Sequence, residues 1–235
     1  MRSQTGFLIL CAALVAGTAA RADTVIEPQG EFVPGTNLPQ LTYVVGETIQ
    51  APTNGDTSLV SFGVGVEFPV VAQPEFIQGE VYAWAGSEAT GPALYTSPLE
   101  PFVAEYPNLP NPIFETGGIN LEAGGEYVIF VNVLVYYQGA YHPGDFYPDY
   151  LQPGTGPGYT GGSSVTTQSL DPSLWTTEAW SVGVPGAGDN DALPQIDFIA
   201  TFAAPVPEPA TWILLTAGFA GLAASSRLRP KFRAG

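Results

Sequence analysis

One histidine, one cysteine and 22 carboxylates bound the chemistry open to this 235-residue chain. Cys11 lies in a leading apolar stretch, so the body has no thiol for nucleophilic attack or for thiolate zinc. His142 stands alone in the Gly/Pro-rich run YHPGDFYP, which excludes a multi-histidine metal site and places its ring in a solvated loop. A serine nucleophile fares no better: Gly161-Gly162-Ser163-Ser164-Val165 departs from the G-x-S-x-G elbow at its last position. Paired acids are the chemistry left, because two carboxyl groups flanking a glycosidic bond can cleave it. Acids are so plentiful here that a pair is expected by chance, and the chain reads as a non-enzyme. A secreted glycoside hydrolase stays open as an alternative.

Binding chemistry concentrates between Gln138 and Ser164. Tyr141, Tyr147, Tyr150 and other rings alternate there with Asp145 and Asp149. Aromatic faces stack on sugar rings and carboxylates hold hydroxyl groups, so a lectin-like module for exopolysaccharide is a second alternative. Trp84, Trp175 and Trp180 could extend the platform, although tryptophans also fill cores and this whole stretch reads as loop. Asp189-Asn190-Asp191 resembles the opening of a calcium loop without its later ligands. No cofactor is expected, but Asp189 and Asp191 are weak metal candidates, and a structural calcium could sit among so many acids.

Charge sorts the partners. Arg2, Arg21, Arg227, Arg229, Lys231 and Arg233 are the six basic residues, and all lie near the two ends. Between Asp23 and Asp197 there are 21 acids and no Lys or Arg, so no Lys or Arg salt bridge can form in the body. A surface of this sign repels nucleic acid and anionic lipid.

The ends are addresses. Arg2, the apolar run FLILCAALV and the small-residue pattern Ala20-Arg21-Ala22 form a secretory signal helix, cleaved after Ala22. Near the other end, Ala210–Ser226 is 17 residues without charge, short for a single membrane-spanning helix but sufficient. Trp212 sits at its entry, and Arg227, Arg229, Lys231 and Arg233 hold its far end in the cytoplasm. Just ahead of it stands Val206-Pro207-Glu208-Pro209, whose prolines fix two φ angles and keep the segment extended.

A Pro-Glu-Pro triplet, a short apolar helix and a basic terminus, in that order, closely resemble the PEP-CTERM sorting signal. The resemblance covers about the last thirty residues. It implies recognition of Val206, Pro207, Glu208 and Pro209 by an exosortase-type membrane protease that removes the tail. It also implies a Gram-negative bacterium that makes exopolysaccharide. The chain would leave through Sec, be anchored transiently in the inner membrane with its body in the periplasm, and end at the cell surface or outside.

The body must then be a domain of residues 23–204, between a signal at 1–22 and a sorting segment at 205–235. Its 28 Gly and 23 Pro fall between short apolar runs, as in many strands joined by tight turns. In SLVSFGVGVEF, period-2 alternation puts Val60, Phe62, Val64, Val66 and Phe68 on one face; Ile196, Phe198, Ala200 and Phe202 alternate likewise. EYVIFVNVLVYY, 126–137, is apolar on both faces apart from Asn132 and predicts a central strand covered on each side. Further strands are predicted near 42–51, 76–85, 93–97 and 175–184. Together these give an all-β fold: an antiparallel two-sheet sandwich, jelly-roll-like.

A second resemblance spans about half of the body. Tyr82-Ala83-Trp84, then Thr90-Gly91-Pro92-Ala93-Leu94-Tyr95-Thr96-Ser97, then Leu121-Glu122-Ala123-Gly124-Gly125-Glu126-Tyr127-Val128 is similar to a β-sandwich module recurrent in PEP-CTERM proteins. It implies a jelly-roll related to carbohydrate-binding modules and no established activity. The expected function is that of a non-enzymatic surface or extracellular-matrix protein.

Overall fold

The computed structural model describes residues 23–34, 44–67, 75–102, 112–132, 147–151, 156–167, 169, 171–183 and 195–205. Chain contacts divide the protein into two units, Met1–Ala204 and Pro205–Gly235. The signal segment 1–22 and the membrane segment 210–226 lie outside the described residues. Among the described residues, no helix is long and apolar enough to cross a membrane.

The first unit is an antiparallel β-sandwich. Its smaller sheet runs β1 (Thr24–Ile26), β14 (Phe198–Ala203), β4 (Ser58–Val64), β9 (Ile113–Asn120) in spatial order. The larger sheet runs β13 (Ser181–Val182), β12 (Ser164–Thr167), β3 (Val44–Gln50), β10 (Glu126–Asn132), β6 (Glu75–Ala85), β7 (Glu88–Thr96). A short β8 (Glu100–Phe102) pairs with the start of β6. The first and last described strands of the unit, β1 and β14, pair with each other.

Side-chain alternation explains which faces meet. Val45 and Ile49 of β3, Tyr127, Ile129 and Val131 of β10, and Ile77 and Val81 of β6 point inward. They meet Leu59, Phe62, Val64, Phe114, Phe198, Ala200 and Phe202 from the smaller sheet. Phe62 packs on Phe114 with ring centroids 5.2 Å apart and takes the edge of Tyr95 at 6.0 Å. The alternation of Ile196, Phe198, Ala200 and Phe202 survives intact, each 1% exposed or less.

In β4 the expected phase shifts. Register slips between Leu59 and Ser61 against β9, and between Thr201 and Phe202 against β14. An extra residue in a strand reverses the facing of what precedes it. Leu59 therefore fills the core, and Val60 is only half-buried.

β10 lies between β3 and β6, and its second apolar face is covered as expected. Val128 and Phe130 turn outward with Val44, Trp84, Ala89 and Val165, and Trp175 and Trp180 close over them. Those tryptophans are not on a long strand. Residues 175–184 were expected to form one, but a 3-10 turn at Pro172–Leu174 and further turns occupy this stretch, leaving only β13. The local sequence explains the difference. Asp171 accepts hydrogen bonds from the Ser173 backbone N–H (2.9 Å) and hydroxyl (2.7 Å), and Pro172 occupies the first turn. Those bonds, the Ser173 hydroxyl first and its backbone N–H second, hold the Asp171 carboxyl below its usual range.

The Leu-x-Ala-Gly-x-x-Tyr pattern has a mechanical basis. Gly124 adopts φ +74°, a left-handed conformation that glycine tolerates best. The Tyr127 hydroxyl folds back to accept the Glu122 N–H at 2.8 Å, and Leu121 is buried beneath. The turn is tied to β3's end by Ala51 N–H to Gly125 O (2.9 Å) and Gly124 N–H to Ala51 O (3.0 Å).

A third, three-stranded sheet joins β2 (Phe32–Pro34), β11 (Tyr147–Leu151) and β5 (Val66–Glu67). The stretch 138–164, expected to be loop, thus contains a paired strand and the start of β12. Backbone bonds among Gly65, Asp149 and Asp197 fix β11 to the sandwich at 2.7–3.0 Å.

Candidate functional site

Two glutamates sit where a charge is costly. Glu47 lies between Val45 and Ile49 on β3, opposite Ile129, in the space between the sheets. It is fully buried; the Ser164 hydroxyl donates to its Oε2 at 2.9 Å, while its Oε1 has no hydrogen-bond partner among the described residues. Ser164 is itself held by the Ile196 N–H at 2.8 Å. Burial pushes the Glu47 carboxyl up to about 8, with Ser164 and Gln195 opposing the rise. With no Lys or Arg anywhere in the body, protonation is the way to bury this group without an unpaired charge.

Glu80 leaves the same sheet on the opposite face. It pairs in register with Phe130 and Thr96, is 5% exposed, and accepts a hydrogen bond from the Asn132 side-chain amide. Burial raises it to about 7, against hydrogen bonds from Tyr82, Asn132 and Thr96. Burial and the adjacent Glu80 push Tyr82 up to about 12. The two acids are separated by the sheet itself, so they do not flank a common substrate space.

Beside Glu80 stands an aromatic box. Tyr82 stacks on Phe130 (5.7 Å, 22°), and Trp175 and Trp180 each present an edge to Phe130 at 5.2 Å. Trp180 also meets Trp84 edge-on at 5.7 Å. Its indole N–H donates to Trp175 O at 2.9 Å, and its backbone N–H to Ser87 O at 2.7 Å, pinning the 171–180 segment onto the sheet. These tryptophans are 9% exposed or less and build the covered outer face rather than an open stacking platform.

The sequence singles out further residues. Tyr147 and Tyr150 are on β11, in register with Glu67 and Val33. Tyr141, His142, Asp189 and Asp191 lie outside the described residues, as do Val206, Pro207, Glu208, Pro209, Arg227, Arg229, Lys231 and Arg233. Among the described residues, no three His, Cys, Asp or Glu side chains form a metal-holding group. Glu47 and Glu80 do not stand out by type among 21 body acids, yet each carries a signal. Glu47 is in phase with core-facing Val45 and Ile49, and Glu80 with Tyr82 and Trp84. A charge on the apolar phase of a strand is the mark of a buried acid.

Residues 205–228 match the family model of the PEP-CTERM protein-sorting motif. No curated protein matches the chain, and neither does any solved structure. The motif marks an exported protein that is sorted at the membrane through exosortase processing.

Proposed function

We propose that this chain is a non-enzymatic protein of the cell surface or extracellular matrix, whose working part is the β-sandwich and whose tail is a disposable address. The observation that carries the reading is the sorting motif at 205–228, which begins directly after β14 completes the sandwich at Ala203. The inner membrane anchors the chain only until the exosortase cuts at the Pro207-Glu208-Pro209 segment. The body then leaves with its 21 acids and no cationic patch to hold it on an anionic membrane.

The buried acids support a structural body over a hydrolytic one. A glycosidase needs two carboxyl groups facing one another across the scissile bond, whereas Glu47 and Glu80 face opposite sides of one sheet. Two measurements test the reading together. Fractionation of the producing cells should recover the body at the surface or in the medium. The purified protein should release no reducing ends from the polysaccharide of those cells. A body that stays in the periplasm, or steady reducing-end release, defeats it.

A further inference from the structure

A groove of about 350 Å³ crosses the outer face of the larger sheet. Thr48, Trp84 and Val165 lie along it, the Gly86 turn forms one side, and the 160–163 segment with Val182 forms the other. Glu126, at the start of β10, stands exposed at its end. Its size falls at the small end of ligand-binding clefts.

The groove is built rather than incidental. Thr48 N–H donates to Ser163 O at 2.9 Å, and Ser163 N–H donates to the Thr48 hydroxyl at 2.8 Å, stitching the wall to β3. A Cβ on Gly162 would fall 1.6 Å from Thr48 O, so this close approach requires glycine. The opposite wall is fixed by the Trp84–Trp180 edge contact. Walls held this way need no ordering when a ligand enters, which lowers the cost of binding.

Lining chemistry selects the ligand. Polar residues dominate: Gly161 and Gly162 with their main chain, Ser163, Thr48, Thr160 and Glu126. Apolar contact is limited to a Trp84 surface 9% exposed and to Val182, 48% exposed. A lipid or an aromatic ligand finds too little apolar wall. An anionic polymer meets Glu126 and a body without Lys or Arg. We propose that this groove binds a segment of a neutral, hydroxyl-rich polysaccharide, with Glu126, Thr160 and the Gly161-Gly162 main chain bonding hydroxyl groups. Trp84 and Val182 would offer the small apolar contact. The inference rests on the reading of the chain as an exported surface or matrix protein.

Calorimetric titration of the full exported chain, held in detergent, tests this with uncharged oligosaccharides (cello-, malto- and xylo-series), alginate as the anionic polymer, and EDTA present. Binding to at least one uncharged series is expected. It should weaken at least tenfold in Glu126→Ala and again in Thr160→Trp, both at exposed positions and both with unchanged melting temperature. No binding to any uncharged series overturns the proposal, as does preference for alginate. So does binding that survives both groove variants but is lost in Tyr147→Ala/Tyr150→Ala, which puts the site at β11. Export and binding are read separately: a chain that binds but is never released defeats only the surface reading, and one released without binding defeats only the groove.

Discussion

Replacing Glu47 with glutamine removes an ionisation but keeps size and an acceptor for the Ser164 hydroxyl. The wild-type carboxyl titrates near its ordinary 4.5 when unfolded and near 8 when folded. The folded state therefore binds the proton more tightly, and stability falls as pH rises between those two values. The contribution is fully present below pH 4.5 and gone above pH 8. Over the whole window the loss is at most about 5 kcal/mol, and from pH 5.5 upward it is about 3 kcal/mol. A glutamine loses nothing over that range. Urea unfolding of the 23–204 fragment at pH 5.5 and 8.5 is the assay, because the β1–β14 pair lies within those residues. The wild type should lose more stability than Glu47→Gln by about 3 kcal/mol between the two pH values, and the variant should be the more stable at pH 8.5. Equal losses in the two proteins would refute the buried, protonated Glu47. Adding Glu80→Gln should flatten the profile further, since that carboxyl is raised to about 7 by its own burial.

Other outcomes follow from the same physics. Trp180→Ala strips part of the cap over Phe130 and should cost about 3–5 kcal/mol in urea unfolding, while Leu94→Ala at an exposed site should stay within about 0.5. The melting temperature of the same fragment should rise with NaCl, because 21 acids without Lys or Arg repel one another until salt screens them. A structural calcium, if the acids hold one, should raise it beyond magnesium at equal ionic strength, and equal effects of the two ions would remove the calcium.

Much of the sandwich was legible because strand period is strict. The Ile196–Phe202 alternation and the two-sided β10 transferred directly, since a buried face leaves no choice of phase. The β4 bulge did not, because an inserted residue has no compositional mark: Leu59 and Val60 are both apolar and either could face in. The stretch 175–184 reads as strand, yet the Asp171-Pro172-Ser173 cap sets a turn ahead of it, and the tryptophans still reach the sheet. Strand β11 hid in a Gly/Pro-rich run because its pairing partners, β2 and β5, are two or three residues long. The groove was illegible for a different reason. Its walls come from segments far apart in sequence, 48–49, 84–86, 126, 160–165 and 182, and three of its residues are glycines with no side chain to mark them. The sorting tail was the clearest element, since its meaning lies in linear order and needs no fold.

The central claim is that the tail is an address removed by a protease that reads Pro207-Glu208-Pro209. Intact-mass measurement of the protein from membrane and medium fractions, for wild type and Glu208→Ala, tests it most directly. Wild-type protein in the medium should lack the apolar 210–226 segment and the basic terminus, and Glu208→Ala should remain in the inner membrane at the mass of the signal-cleaved, uncut chain. Release of Glu208→Ala with the same shortened mass and yield as wild type would contradict the account.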